Sequence, residues 1–129
     1  MNDALAQARG VQLAASGLGF DWPDVSGALA KLREEVDEFG RAIEAGFAES
    51  QRIELGDVLF SAVNVSRFID VDAAEALRAT TDKFEARFGR VREKIRQTGR
   101  AIEACSIDEL DALWEGVKQE EQDRGINAS

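Results

Sequence analysis

Two helical patterns meet in the stretch EEVDEFGRAIEAGFAESQRIELGD, residues 34–57. Three glutamates lie in the first pattern, and two further acidic residues open the second. These five residues are Glu34, Glu35, Glu38, Glu54 and Asp57. Residues three or four apart share one face of a helix, and a short turn makes consecutive helices antiparallel neighbours. The spacing therefore predicts that the five carboxylates gather at one place.

Carboxylates that lie close together repel one another, and a divalent cation removes this conflict. Mg²⁺ prefers oxygen ligands and commonly binds substrate phosphate as well, so the cluster predicts a Mg²⁺ site, with Mn²⁺ as an alternative. For the three glutamates alone, a solvated acidic helix face is the simpler interpretation. Two acids on an otherwise apolar helix favour the metal site, because isolated buried carboxylates are costly. The predicted ligands are Glu35, Glu38, Glu54 and Asp57, with Glu34 close enough to assist.

The composition predicts one soluble all-α domain over residues 1–123, followed by a flexible tail at 124–129. The chain has 129 residues, of which 44% are hydrophobic, and it is rich in helix formers. Its net charge of −9 argues against a nucleic-acid partner, because binding to phosphates requires many basic residues. The single cysteine, Cys105, excludes an internal disulfide, and no apolar run reaches the roughly 18 residues of a membrane span. These features favour a cytoplasmic protein with no membrane partner.

Apolar periodicity predicts a four-helix-bundle-like fold with a short extra C-terminal helix. Helices are expected at 2–17, 25–45, 50–69, from Asp72 to about Gly99, and from Ser106 to a polar segment that frays from Glu120. The third helix is apolar nearly all round between Leu55 and Val65, which is typical of a buried helix. The second carries an apolar stripe that is expected to face the core, formed by Val25, Leu29, Leu32, Val36, Phe39 and Ile43. These two helices need more covering than the others easily supply, so we expect a homodimer.

Two further features bear on ligand binding. Phe20 and Trp22 lie in the short segment between the first two helices, where they either anchor the core or face a planar ligand. On the third helix, Ser61 and Asn64 continue the polar line that begins at Glu54, and a polar line on a buried helix must be satisfied by a partner. Histidine is absent, so acid–base chemistry near neutral pH falls to carboxylates, lysine, a metal-bound water or the thiol.

Positive charge is concentrated between residues 83 and 100, which hold seven of the sixteen basic side chains. Four of them recur at helical spacing and form one stripe, namely Lys83, Arg87, Arg90 and Lys94. Such a stripe indicates a site for a small anion or, alternatively, a solvated face that offsets the acidic surface. The second interpretation is the expected one for Arg92, Arg96 and Arg100.

The acidic pattern resembles the EExxE–ExxD signature of the all-α nucleoside triphosphate pyrophosphohydrolases, and more closely their MazG branch. Glu34-Glu35-x-x-Glu38 and Glu54-x-x-Asp57 carry the signature. Further blocks resemble the family in the same order along most of the chain, namely GFDWPD (19–24), ELGDVLF (54–60), VNVSR (63–67), KFEARF (83–88) and LDALW (110–114).

The resemblance implies a dimeric α-helical enzyme that binds Mg²⁺ and hydrolyses nucleoside triphosphates to the monophosphate and pyrophosphate, as nucleotide-pool housecleaning. It implies that Glu34 or Glu38 orients or deprotonates the attacking water, and that Lys83 and Arg87 hold the phosphates. The nucleotide is expected to contact Trp22 and Asn64 as well. Metal ligation falls to the four residues named above, Glu35, Glu38, Glu54 and Asp57.

Two alternatives stay open from the sequence. Thr81 stands where the family often has Asn, and the chain resembles one domain of longer two-domain MazG proteins. It is therefore either an active enzyme or a catalytically weak helical module that binds nucleotide and metal for interaction or regulation. The substrate is alternatively a narrow one, such as dUTP, dCTP or a phosphoribosyl-ATP-like compound, because no residue encodes the base.

Overall fold

The structure is a computed structural model that describes residues 3–125. Within these residues the chain forms five α-helices, one short 3-10 helix and no β-strand. The α-helices are α1 Ala4–Gly17, α2 Val25–Ala45, α3 Ala48–Phe68, α4 Ala73–Gln97 and α5 Ile107–Asp123, and the 3-10 helix is Ile102–Ala104. The all-α prediction is confirmed. None of the described helices is both long and apolar enough to span a membrane.

The chain divides into two compact units, one up to Leu77 and one from Arg78 onward, with the division inside α4. The first unit contains α1, α2 and α3, and the second contains most of α4 together with α5. The single domain over residues 1–123 stays a prediction. Each unit has its own packing, and the acidic stretch 34–57 lies wholly in the first.

Short polar caps and one glycine set the helix ends. The Asp24 side chain accepts a hydrogen bond from the Ser26 amide at the start of α2, and the expected capping box of Ser106 and Glu109 opens α5. Gly46 ends α2 with a φ of 81°, a left-handed conformation that glycine adopts without strain. Since α3 begins two residues later, at Ala48, α2 and α3 pack against each other as neighbours. This tight turn is what brings the two halves of the acidic stretch together.

The face of α2 that is buried in the first unit differs from the predicted one. Its buried residues are Ala28, Glu35 and Ala42, spaced by seven, whereas Val36 and Ile43 of the apolar stripe are exposed. Along this line a small side chain lies on each side of the buried glutamate. The prediction that the apolar stripe faces the core of this chain is wrong for Val36 and Ile43, because periodicity reveals an apolar face without revealing what covers it. The other four residues of the stripe are half-buried, namely Val25, Leu29, Leu32 and Phe39.

The third helix is likewise covered on one side only. Its buried residues are Ser61, Val63 and Ser66, while Leu55 and Leu59 are exposed in the described part of the chain. The prediction that α3 is buried all round is therefore wrong for a single chain. Large apolar side chains of both α2 and α3 are thus left exposed in the described chain.

The second unit has a small core of its own around Val91, Ile95 and Val117, which are almost fully buried. Beside it, Arg87 of α4 donates to Glu121 of α5 from Nε at 3.0 Å and from Nη2 at 2.8 Å. Both side chains are buried, so α5 is held by an ion pair as well as by apolar packing. The prediction that the chain frays from Glu120 is wrong for the residues up to Asp123, because α5 continues to that residue. Residues 126–129 of the predicted tail lie outside the described residues.

Candidate functional site

The five acids of stretch 34–57 come together in the first unit as two overlapping groups. Carboxylate oxygens of Glu35, Glu54 and Asp57 lie within 4.8 Å of one another. A second group with the same limit is formed by Glu34, Glu35 and Glu38, so that Glu35 belongs to both. We call these five residues the acidic cluster. Its geometry agrees with the spacing argument, since α2 contributes three carboxylates and α3 contributes two.

Two carboxylate oxygens of the acidic cluster are buried and unsatisfied. Glu35 is only 6% exposed, and among the described residues neither Glu35 Oε2 nor Glu54 Oε2 has a hydrogen-bond partner. Burial raises the pKa of Glu54 above its ordinary value, and the negative charges of Glu38, Asp57 and Glu35 raise it further. A buried, unsatisfied carboxylate oxygen is costly unless a cation or a donor meets it. The donor set therefore fits a hard divalent cation, which binds oxygen ligands.

Lys31 is a member of this site that the sequence interpretation missed. Its Nζ lies 2.9 Å from Glu35 Oε1 and 3.3 Å from Glu34 Oε1. Hydrogen bonds to Glu35 and then to Glu34 raise the pKa of Lys31 to about 12. Lys31 therefore brings one positive charge to a cluster of five carboxylates. The available signal was its position four residues before Glu35, the spacing of an ion pair along one helix face.

A cavity of about 480 Å³ lies in the first unit, and Lys31 lines it as well. Phe20 and Trp22 also line this cavity; they are 84% and 43% exposed. The interpretation as a core anchor is therefore wrong for Phe20, while the Trp22 ring packs on Gly27 of α2 and is partly open to the cavity. The other lining residues include Gln12, Asp21, Ser61, Asn64 and Arg67. Because Lys31 both lines the cavity and pairs with Glu35, the cavity lies beside the acidic cluster.

Arg67 joins the segment before α2 to α3 at the wall of this cavity. It donates from Nη1 to Asp21 Oδ2 at 3.0 Å and from Nη2 to Asp21 Oδ1 at 2.8 Å. Its Nε also donates to Asn64 Oδ1 at 3.0 Å. The hydrogen bonds from Arg67 hold the pKa of Asp21 far below its usual value, with a smaller effect of Ser16. Arg67 thus fixes both the aromatic segment and the orientation of the Asn64 amide.

This ion pair predicts an acid-sensitive contribution to stability. Since the pKa of Asp21 is lowered by folding, its stabilising effect is complete above the ordinary value of 3.8 and is lost as the pH falls below it. We expect Asp21→Asn to lower the free energy of unfolding near neutral pH, and this difference from the wild type to shrink between about pH 5 and pH 2. Urea unfolding across this range measures it. Asp37→Asn, an equal charge change at an exposed position of α2, is the control, and a pH-independent difference for Asp21→Asn would contradict the assignment.

The remaining predicted site residues lie in two places. Trp22 and Asn64 line the cavity beside the acidic cluster. Lys83 and Arg87 lie on α4 in the second unit, where the Arg87 guanidinium pairs with Glu121 and lies 5.2 Å from the Trp114 ring centroid. The phosphate-binding role of Lys83 and Arg87 stays a prediction.

The similarity of this chain to known proteins covers most of the helices described above. Residues 11–91 match the family model of the MazG nucleotide pyrophosphohydrolase domain. The chain belongs to the MazG family. This match confirms the resemblance, and the matched residues include the acidic cluster and every cavity residue named above.

Among its MazG relatives, the chain is 44% identical over 115 residues to the nucleoside triphosphate pyrophosphohydrolase/pyrophosphatase MazG of Thermotoga maritima, a match that covers 89% of this chain and 44% of that protein. It is 30% identical over 122 residues to a nucleoside triphosphate pyrophosphohydrolase of Escherichia coli, covering 93% of this chain and 46% of the relative. A third relative, the uncharacterized protein YabN of Bacillus subtilis, is 38% identical over 79 residues, which are 61% of this chain and 16% of YabN. The chain thus spans less than half the length of these relatives.

Proposed function

We propose that this MazG chain hydrolyses nucleoside triphosphates to the nucleoside monophosphate and pyrophosphate, with Mg²⁺ held by the acidic cluster. The observation that carries the proposal is the pair of buried, unsatisfied oxygens on Glu35 and Glu54, next to a cavity lined by aromatic and basic groups. The names of the Thermotoga maritima and Escherichia coli relatives support the same activity. A cellular location in the cytoplasm, suggested by the lone cysteine, is part of the proposal.

The residues that would hold Mg²⁺, or Mn²⁺ in its place, are Glu35, Glu38, Glu54 and Asp57. Glu34 assists from the exposed side of the cluster, where it shares Lys31 with Glu35. When bound, the cation offsets the negative charge of the carboxylates and of the substrate phosphates. The all-oxygen donor set supports a hard cation rather than a soft one.

In this proposal a carboxylate of α2 serves as the general base. The water oxygen attacks the α-phosphorus, the bond from that phosphorus to the bridging oxygen breaks, and pyrophosphate leaves with that oxygen. The proton of the water passes to Glu34 or Glu38, since a chain without histidine must use another base. Positive charge near the phosphates, from Lys31 and from the proposed phosphate ligands Lys83 and Arg87, offsets the charge that develops on the phosphoryl group.

The cavity is the proposed site of the nucleoside. Its volume of about 480 Å³ is in the range of small-molecule sites. The exposed rings of Phe20 and Trp22 offer stacking surface for a base, an interaction that tolerates every base because each has a π face. The Asn64 side chain, whose oxygen is held by Arg67, offers its amino group as a donor. Stacking on Phe20 and Trp22 does not by itself select one base over another.

A homodimer is proposed on the basis of the uncovered apolar surface of the first unit. Its large side chains include Val36, Ile43, Leu55 and Leu59, all exposed in the described chain. Several large apolar side chains exposed on two neighbouring helices favour a protein–protein contact. Light scattering should give a mass of two chains, and a mass of one chain would contradict the proposal.

The proposed activity is tested with a panel of ribo- and deoxyribonucleoside triphosphates, incubated with the pure protein and Mg²⁺. We expect pyrophosphate release, no orthophosphate, and loss of the reaction when EDTA removes the cation. Nucleotide binding without any product over hours would instead support the non-catalytic module, and activity confined to one triphosphate would support a narrow substrate.

The Lys31 ion pair predicts opposite effects on metal and on nucleotide. Lys31→Met removes a positive charge that competes with a cation for Glu35, so we expect Mn²⁺ to bind several-fold more tightly in the absence of nucleotide. Nucleotide binding should weaken, because the cavity loses its charge next to the cluster. Electron paramagnetic resonance measures free Mn²⁺, and calorimetry with a nucleoside monophosphate measures the second effect. Arg33→Met, at an exposed position of the same helix, is the control; weaker Mn²⁺ binding by Lys31→Met would contradict the prediction.

A further inference from the structure

Gln12 is a buried polar side chain that the acidic cluster does not use. It lies on α1, is only 6% exposed, and lines the cavity beside the aromatic pair. Its Nε2 donates to the backbone carbonyl of Phe60 on α3 at 3.0 Å. This hydrogen bond connects α1 to α3. It also distinguishes the nitrogen of the Gln12 amide from its oxygen. The nitrogen is turned to α3, so the other end of the amide is its carbonyl oxygen.

That carbonyl oxygen, Gln12 Oε1, is buried, and among residues 3–125 it has no hydrogen-bond partner. A buried acceptor without a donor is costly, and the great majority of buried polar side-chain atoms have a partner. The amide cannot be turned over to remove the problem, because Nε2 would then lose its acceptor on Phe60. Gln12 lines the cavity, and its oxygen is a fixed acceptor that an N–H or O–H group of a bound molecule would satisfy.

Two other polar side chains of the cavity, Asn64 and Asp21, already accept hydrogen bonds from Arg67. Asn64 Oδ1 accepts from Arg67 Nε at 3.0 Å and from Arg67 Nη2 at 2.6 Å, which leaves the Asn64 amino group as its donor. Asp21 is occupied by the same guanidinium. Gln12 Oε1 is therefore an unoccupied acceptor on a residue that lines the same cavity as the rings of Phe20 and Trp22.

We propose that Gln12 reads the nucleobase by accepting a hydrogen bond from a base N–H group. This inference rests on the proposed function, since it assumes that the cavity holds the nucleoside. Of the parts of a nucleotide, the base combines a flat surface for Phe20 and Trp22 with N–H donors on its edge. Gln12 is then a specificity-determining residue that selects for a base with a donor and against a base of the same shape without one.

The test compares bases that differ by one amino group. AMP is compared with purine riboside 5′-monophosphate, and CMP with the 5′-monophosphate of the 2-pyrimidinone riboside, by calorimetry with Mg²⁺ present. Monophosphates have no anhydride bond, so the measurement is independent of turnover. In the wild type we expect loss of the amino group to weaken binding about tenfold in at least one pair, since Oε1 is then left buried without a donor.

Gln12→Met keeps the length of the side chain and removes the acceptor. We expect the two members of each pair to bind this variant equally, whereas a merely structural disturbance would weaken both members alike and keep their ratio. Gln7→Met, at an exposed position of α1, should keep the wild-type ratio. The wild-type comparison requires no variant and stands even where Gln12→Met fails to fold.

Equal wild-type affinities within both pairs, or binding by none of the four monophosphates, would overturn the role of Gln12. Retention of the tenfold ratio in folded Gln12→Met would overturn it as well. These outcomes are separate from the proposed hydrolysis. Pyrophosphate release with equal affinities contradicts base reading alone, and a clear amino-group preference without pyrophosphate release contradicts hydrolysis alone.

Discussion

Glu54→Gln is expected to reduce pyrophosphate release by roughly two to three orders of magnitude and to raise the melting temperature of the metal-free protein. The loss of activity follows because a neutral amide is a poor ligand for a hard divalent cation. The gain in stability follows because the substitution removes one of several carboxylates that repel one another. The raised pKa of Glu54, caused by burial and by its acidic neighbours, indicates the same strain in the unliganded cluster.

Differential scanning fluorimetry in EDTA and in excess Mg²⁺ measures both parts of this prediction. The wild type should be stabilised by the cation and the variant should not. Glu44→Gln, an equal change of charge at an exposed position of α2, should leave activity and the response to Mg²⁺ unchanged. Full activity of Glu54→Gln, or a lower melting temperature in EDTA, would contradict the role assigned to this residue.

Arg87→Met is expected to destabilise the protein by about 3 kcal/mol, because removal of one partner of a buried ion pair leaves the other charge poorly compensated. The partner is Glu121, which is only 3% exposed. Arg90 also donates to Glu121 and moderates the loss. The apolar contact of the guanidinium with Trp114 is partly retained by methionine, so the effect reports mainly on the ion pair.

Urea unfolding measures this loss, and Arg92→Met, at an exposed position of the same helix, should change the free energy of unfolding by less than about 0.5 kcal/mol. The comparison also tests the predicted phosphate role of Arg87. If activity falls in Arg87→Met under conditions in which the variant is fully folded, the residue serves the substrate as well as α5. Unchanged stability of Arg87→Met would contradict the structural role of the ion pair.

The positions of the helices and the meeting of the acids could be predicted from the sequence because they depend on local rules. Helical spacing places Glu35 and Glu38 on neighbouring positions of α2, and a glycine at 46 ends that helix. The tight turn then brings α3 alongside. These relations involve residues that are close in sequence, so propensity, caps and periodicity describe them well.

The packing of the helices could not be predicted in the same way. The line Ala28, Glu35 and Ala42 is buried, whereas the larger apolar stripe is only half-buried or exposed, because a hydrophobic pattern does not identify its partner. The same limit explains why Leu55 and Leu59 are exposed, although the sequence indicated them as core residues. A second chain that covers these side chains would reconcile the pattern with the exposure.

The cavity was only half predictable, because its polar contacts join residues far apart in the chain. Trp22 and Asn64 could be identified as candidates, while Gln12 depends on a carbonyl 48 residues away and Arg67 on Asp21, 46 residues away. Spacing within one helix gives no information on such contacts. Arg87 shows the converse case, since its position in a basic stripe and the family resemblance indicated a phosphate ligand, while its partner on α5 could not be foreseen.

The central claim is that the acidic cluster supports cleavage of the α–β phosphoanhydride bond of a nucleoside triphosphate. Phosphorus-31 NMR of the reaction mixture, with Mg²⁺ and the triphosphate preferred in the panel, identifies the products directly. Nucleoside monophosphate and pyrophosphate should accumulate in equal amounts with the wild type and fail to accumulate with Glu54→Gln. Formation of nucleoside diphosphate and orthophosphate, or equal rates for the two proteins, would contradict the claim.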